Sequence, residues 1–192
     1  MTIYNWLITA LWLVFIAYWA IAAGGVKRDI GGAWVWRREI GLRLGVLVLV
    51  LLALRISVFS HASRNARSFA VNASMPMGLI GVVLCALGIG LAIRARVSLG
   101  RNWGMPMSRK ENPELVTTGP YAFVRHPIYA GLLLAMLGST IGESAVWVLP
   151  LILCGAYFIY SARREEKLMI EQFPELYPAY MRRTKMLLPF IL

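Results

Sequence analysis

Leu115–Gly131 reads Leu-Val-Thr-Thr-Gly-Pro-Tyr-Ala-Phe-Val-Arg-His-Pro-Ile-Tyr-Ala-Gly. A Gly119-Pro120 turn leads into Arg125 and His126, and Pro127 then opens an apolar run. Proline lacks an N–H and suits the first turn of a helix. Arg125 and His126 therefore stand at the N-terminal mouth of that helix, where free N–H groups and a partial positive field favour carboxylate or phosphate. Arg125 alone reads as a snorkelling cation. With His126, Tyr129 and the Gly119-Pro120-Tyr121 turn beside it, the stretch reads as a functional site at a membrane boundary.

Working outward, five apolar segments appear: Ile3–Ala23, Leu42–Phe59, Met75–Ile93, Ile128–Ile141 and Ala145–Ala162. About 20 residues span a bilayer as a helix, so all but the fourth have the length. The Gly142-Glu143-Ser144 link is short enough to make the last two an antiparallel hairpin. The expected fold is all-α: a polytopic integral membrane protein with about five transmembrane helices. The 192 residues are 59% hydrophobic, well above a soluble domain. The first segment does not read as a cleavable signal, since no Lys or Arg precedes it and it exceeds an h-region in length.

Net charge is +11, yet the basic residues lie between apolar segments rather than in an aromatic-studded soluble patch, which argues against nucleic acid. Leaving aside Arg43 and Arg55, Lys and Arg number 4 in 24–41, 2 in 60–74, 6 in 94–127, none in 142–144 and 6 in 163–192. Alternate connections thus carry 16 against 2. That places the N-terminus outside, and both charged islands in the cytoplasm at the inner or plasma membrane. Cys85 and Cys154 lie in apolar runs, and two histidines, His61 and His126, are too few for a dedicated metal site.

The second island is Arg163-Arg164-Glu165-Glu166. Acids are scarce here, nine in all, so an adjacent pair beside a membrane surface stands out. On a helix, Glu166 shares a face with Ile170 and Phe173, and Glu165 with Leu168, Met169 and Gln172, so one acid would face a pocket and the other water. The tail carries Phe173-Pro174, Tyr177, Tyr180, Arg182, Arg183 and Leu188-Pro189-Phe190, an interfacial aromatic pattern in which Arg183 could reach an anion. Gly78, Gly81, Gly88 and Gly90 read as close helix packing rather than a binding loop. Asn102-Trp103 and His61 read as interfacial. No soluble domain fits in the loops, so the chain is read as one unit, with three spans in 1–98 and a motif-bearing half in 99–192.

From about Leu99 to Ile191 the order Leu-Val-x-x-Gly-Pro-Tyr, Arg-His-Pro-x-Tyr-x-Gly, hydrophobic hairpin, Glu-Glu-x-Leu-x-Ile-x-x-Phe, Tyr-x-x-Tyr and Leu-Pro-Phe-Ile resembles the isoprenylcysteine carboxyl methyltransferase family. It is also similar to the related phospholipid N-methyltransferases. The resemblance implies an integral membrane enzyme that uses S-adenosylmethionine in a cytoplasmic-side pocket, with a lipophilic acceptor, most simply the carboxylate of an isoprenylated substrate, entering from the bilayer. It implies catalytic roles for Arg125, Glu165, Glu166 and Arg183. Cofactor binding would fall to Leu115, Val116, Gly119, Tyr121, His126, Tyr129 and Glu166. Two positions depart from the pattern: Lys167 stands where a third glutamate is common, and Met186 where some relatives carry arginine.

Membrane sterol and enoyl reductases, which use NADPH, share the Arg-His-Pro-x-Tyr-x-Gly run, but the Gly-Pro-Tyr turn together with Glu-Glu favours the methyltransferase. A non-enzymatic membrane scaffold would leave Arg125, Glu165 and Glu166 freely replaceable.

Overall fold

The structure is a computed structural model and describes residues 2–22, 75–100 and 114–188. Among these residues every regular element is helical. They are α1 (Ile3–Ala22), α2 (Met75–Leu99), α3 (Pro127–Gly142), α4 (Val148–Gln172) and α5 (Leu176–Arg183), with short 3-10 turns at Gly119–Ala122 and Ala145–Trp147. Ile3–Ala22, Met75–Leu99 and Ala145–Gln172 are long and apolar enough to cross a membrane, and they mark an integral membrane protein. The expected span Leu42–Phe59, with Arg43 and Arg55, lies outside the described residues, as do His61, Asn102-Trp103 and Pro189–Ile191.

The fourth apolar segment starts one residue earlier than hydropathy suggests, with Pro127 at the first helical position and His126 as N-cap. At 16 residues α3 is about 24 Å long, short of a full hydrocarbon core. The fifth segment does not stop at Ala162. Arg, Glu, Lys, Leu and Met are good helix formers, so α4 continues unbroken to Gln172 and carries both glutamates as part of one rigid rod. It ends at Phe173, where the following Pro174 disfavours helical backbone.

Glycine sets how closely α2 and α3 approach. A Cβ on Gly88 would strike the backbone of Gly131 and Ala135, and one on Gly138 would strike that of Gly81, Leu84 and Cys85. Gly78 packs against the Tyr4 ring of α1, whereas Gly90 meets nothing within 4 Å among the described residues. Lipid gives helices little hydrophobic reason to associate, so contact at this range depends on small residues. Gly138→Val should therefore lower stability by at least about 2 kcal/mol through backbone overlap. Gly90→Ala should be near neutral, and equal thermal midpoints for the two variants in detergent would contradict this packing.

The core lies where α1, α2, α3, α4 and the Ala145–Trp147 turn meet. Trp12 stacks on Trp147 with centroids 5.1 Å apart and planes 12° from parallel. Its indole N–H donates to Ser139 Oγ at 3.0 Å. Trp147 in turn donates to Glu143 Oε2 at 3.0 Å. Glu143 and Ser144, expected as a plain connecting link, are fully buried. Cys85 and Cys154 are free thiols inside this core.

At the other end of the bundle the helix termini converge. Arg96, in the last turn of α2, donates to the Ala22 carbonyl that closes α1, at 2.6 Å, and to the Gly100 carbonyl at 2.8 Å. The N-terminus of α3 and the polar end of α4 meet here as well, through Arg125 and Glu166.

Candidate active site

The approach to α3 is a tight turn. Gly119 adopts φ +63°, a left-handed conformation that glycine takes without strain, and a Cβ there would lie 2.9 Å from Ser98 Oγ of α2. Tyr121 is buried behind the turn, and its carbonyl accepts from the Tyr180 hydroxyl of α5 at 2.6 Å. Leu115 and Val116 lead into it half-buried. Burial raises the Tyr121 and Tyr177 hydroxyls above the ordinary tyrosine range and pushes Tyr180 up to about 12. All three stay protonated at neutral pH.

After the turn, the chain runs beside the segment that follows α5. Val124 and Lys185 form a parallel bridge. Arg125 N–H donates to the Lys185 carbonyl at 2.8 Å and His126 N–H to the Met186 carbonyl at 3.0 Å. Arg125 and His126 are thus strapped from behind, with their side chains directed at α4.

Four ionisable side chains meet there. Arg125 Nε donates to Glu166 Oε1 at 2.6 Å, with both side chains 9% exposed. Its Nη1 donates to the carbonyls of Thr184, at 2.5 Å, and Met181, at 3.4 Å. A cation suits the carbonyl-rich end of α5. His126 lies between the acids, with Nδ1 3.7 Å from Glu165 Oε2 and Nε2 3.3 Å from Glu166 Oε1. The second approach is within ion-pair range but lacks hydrogen-bond geometry. Glu165 Oε1 accepts from the Tyr129 hydroxyl at 2.5 Å and from Ser161 Oγ at 3.0 Å. The Tyr129 ring lies parallel between His126, 5.6 Å away, and Phe158, 4.6 Å away.

Five residues singled out in the sequence, Arg125, His126, Tyr129, Glu165 and Glu166, therefore form one cluster, and Gly119 and Tyr121 adjoin it. The expectation of one acid facing a pocket and the other water needs correction. Both reach the Arg125-His126 pair, because i and i+1 on α4 are far enough apart in angle to flank one imidazole. Arg125 is not an open anion receptor, since Glu166 and two carbonyls occupy it. Arg183 is exposed in the last turn of α5, and no hydrogen bond or ion pair joins it to the cluster among the described residues. The Thr184 carbonyl beside it does join.

The sequence reading missed Ser161 and the Thr184 carbonyl. Ser161 had a signal, one helical turn before Glu165. A backbone carbonyl has none.

A family model for phospholipid methyltransferases matches residues 77–175, across α2, the turn, α3 and the whole polar end of α4. The chain belongs to the phospholipid methyltransferase family. The cobalt-zinc-cadmium resistance protein CzcN of Cupriavidus metallidurans is 30% identical over 168 residues, 86% of this chain and 69% of that protein. Protein-S-isoprenylcysteine O-methyltransferase of Schizosaccharomyces pombe is 30% identical over 112 residues, 56% of this chain and 47% of that protein. The fold resembles the structure of the eukaryotic intramembrane Ras methyltransferase isoprenylcysteine carboxyl methyltransferase. The TM-score is 0.62 at 23% identity, covering 76% of this chain and 52% of that one. This phospholipid methyltransferase family member thus spans about half the length of each of these isoprenylcysteine enzymes. Its place in the family makes it a methyltransferase.

The cluster offers a partly exposed carboxylate, the kind of group a sulfonium or ammonium ligand would meet. Of the two acids, Glu165 is the more exposed, with its side chain at 25% against 9% for Glu166.

Proposed function

We propose that this protein transfers a methyl group from S-adenosylmethionine to a lipophilic acceptor at the membrane face. The observation that carries the reading is the Arg125–Glu166 and His126–Glu165 cluster, set where the polar end of α4 leaves the apolar span. The proposal includes five spans, with α3 and α4 as a hairpin, the N-terminus outside and the site at the cytoplasmic face. Residues 1–98 supply the first three spans and 99–192 the catalytic half of a single unit. The acceptor enters from the bilayer between helices.

S-adenosylmethionine, when bound, supplies an electrophilic methyl group on a cationic sulfur. The chain's own residues would divide the remaining work. Glu166 locks Arg125, which in turn holds the 181–186 strap over the α3 N-terminus. Glu165 and His126 face the ligand, the carboxylate balancing its positive charge. The Gly119 turn with Tyr121, and Leu115 and Val116 before it, border the cofactor. Tyr129 acts through Glu165 rather than on the cofactor directly. Arg183, exposed, would meet the acceptor's polar end. Burial keeps water out, so alignment supplies much of the rate.

The acceptor group expected from the isoprenylcysteine relative is a carboxylate, which needs no base. One observation favours a second reading. Arg125, the cation expected to hold that carboxylate, is spent on Glu166, while Glu165 is a partly exposed base. A thiol or amine would lose its proton to Glu165 Oε2, with His126 Nδ1 beside it. Incubating purified protein with methyl-labelled S-adenosylmethionine and a total membrane lipid extract should give label in an organic-soluble product. Release of that label by mild base identifies a methyl ester, and base-stable label a thioether or methylamine. No transfer to any lipid fraction would contradict the proposal.

A further inference from the structure

Ser161 is fully buried on α4, one turn before Glu165. A serine inside a helix ordinarily returns its hydroxyl to the carbonyl one turn back. Here Ser161 Oγ donates forward to Glu165 Oε1 at 3.0 Å. The Tyr129 hydroxyl, from α3, donates to that same oxygen at 2.5 Å and lies 3.3 Å from Ser161 Oγ. Tyr129 has little freedom to swing away, because its ring lies within 5° of parallel to His126 on one side and Phe158 on the other. One carboxylate oxygen is therefore fixed by donors from two helices. The other, Oε2, is left facing His126 Nδ1 at 3.7 Å.

We propose that Ser161 is a positioning residue that fixes the Glu165 carboxylate so that Oε2 is presented to the ligand side of the site. The proposal rests on the reading of Glu165 as the ligand-facing acid. A carboxylate on a long side chain at a partly exposed site would otherwise sample several rotamers, and two donors on one oxygen select one of them. Tyr129 alone sets a distance; Ser161 adds the second direction that fixes the plane.

The test compares Ser161→Ala and Ser161→Thr, using labelled S-adenosylmethionine with the total membrane lipid extract as acceptor source. Ser161→Ala should slow turnover about tenfold, in keeping with loss of one hydrogen bond to a charged group. The KM for S-adenosylmethionine should stay within about twofold, and Ser161→Thr, which retains the hydroxyl, should recover most of the rate. A second measurement needs no activity. Thermal midpoints of Ser161→Ala, Glu165→Ala and the double variant should be non-additive, because each substitution removes the contact between the two residues. Additive midpoints, or unchanged turnover in Ser161→Ala while Glu165→Gln is slow, would overturn the assignment of Ser161 alone. Wild-type turnover in Glu165→Gln would overturn the reading of Glu165, and with it this proposal. A wild-type protein that transfers no methyl group would overturn the functional reading, whatever the midpoints show.

Discussion

Arg125→Ala should lower turnover at least about 100-fold and also destabilise the folded protein by about 3–5 kcal/mol. The stability loss is the less obvious half. Arg125 is nearly buried, and its guanidinium joins α4 through Glu166 to the carbonyls of Met181 and Thr184 at the end of α5. Removing it strands the Glu166 carboxylate in a site that excludes water, and frees the strap that also holds the backbone of Arg125 and His126. Arg125→Lys should not rescue. An ammonium cannot donate in two fixed directions to a carboxylate and to carbonyls at once. Removing both charges together, Arg125→Met with Glu166→Leu, should restore much of the stability, because no buried charge is left unpaired. It should not restore turnover. Thermal midpoints and initial rates on the same preparations check both halves. An active double variant would show that Arg125 serves the scaffold alone, and full activity in Arg125→Ala would remove it from the account.

Glu165→Gln should separate the two adjacent acids. An amide oxygen still accepts from Tyr129 and Ser161, so the fold should change by less than about 1 kcal/mol. The charge that faces the ligand is gone, and turnover should fall about 100-fold or more if this carboxylate acts as base or counter-ion. Glu166→Ala should do the reverse in emphasis, costing about 3–5 kcal/mol because Arg125 is left unpaired. Circular dichroism melts beside rate measurements distinguish the pair. A destabilised Glu165→Gln with a tolerant Glu166→Ala would invert the assignment.

Much of this site could be read from residue order. Pro127 fixed where α3 begins, and the scarcity of acids drew attention to Glu165-Glu166. The partners of each group could not be read, because they depend on how two helices rotate against one another. Helical spacing put the two acids on neighbouring faces, which suggested different environments; only the position of His126 at the mouth of α3 lets both reach it. Arg125 looked open because its carbonyl partners carry no side-chain signature. Hydropathy ended the last apolar segment at Ala162, since a polar turn and a membrane exit look alike in sequence, whereas α4 keeps its backbone bonds to Gln172. Glu143 read only as part of a short link and proves to be buried against Trp147, a contact set by packing of the Ala145–Trp147 turn. Among the described residues, Gly78, Gly81 and Gly88 of the four glycines taken as packing residues meet neighbours and Gly90 does not, a distinction of helix phase rather than composition.

The measurement closest to the central claim is photo-cross-linking of labelled S-adenosylmethionine to the purified protein, followed by peptide mapping. Label should fall saturably in peptides containing Leu115–Tyr129 and Ser161–Glu166, and fall away in Glu165→Gln. Saturable label confined to peptides outside these two stretches, or none that unlabelled donor displaces, would contradict a methyl-donor site built on the Arg125–Glu166 cluster.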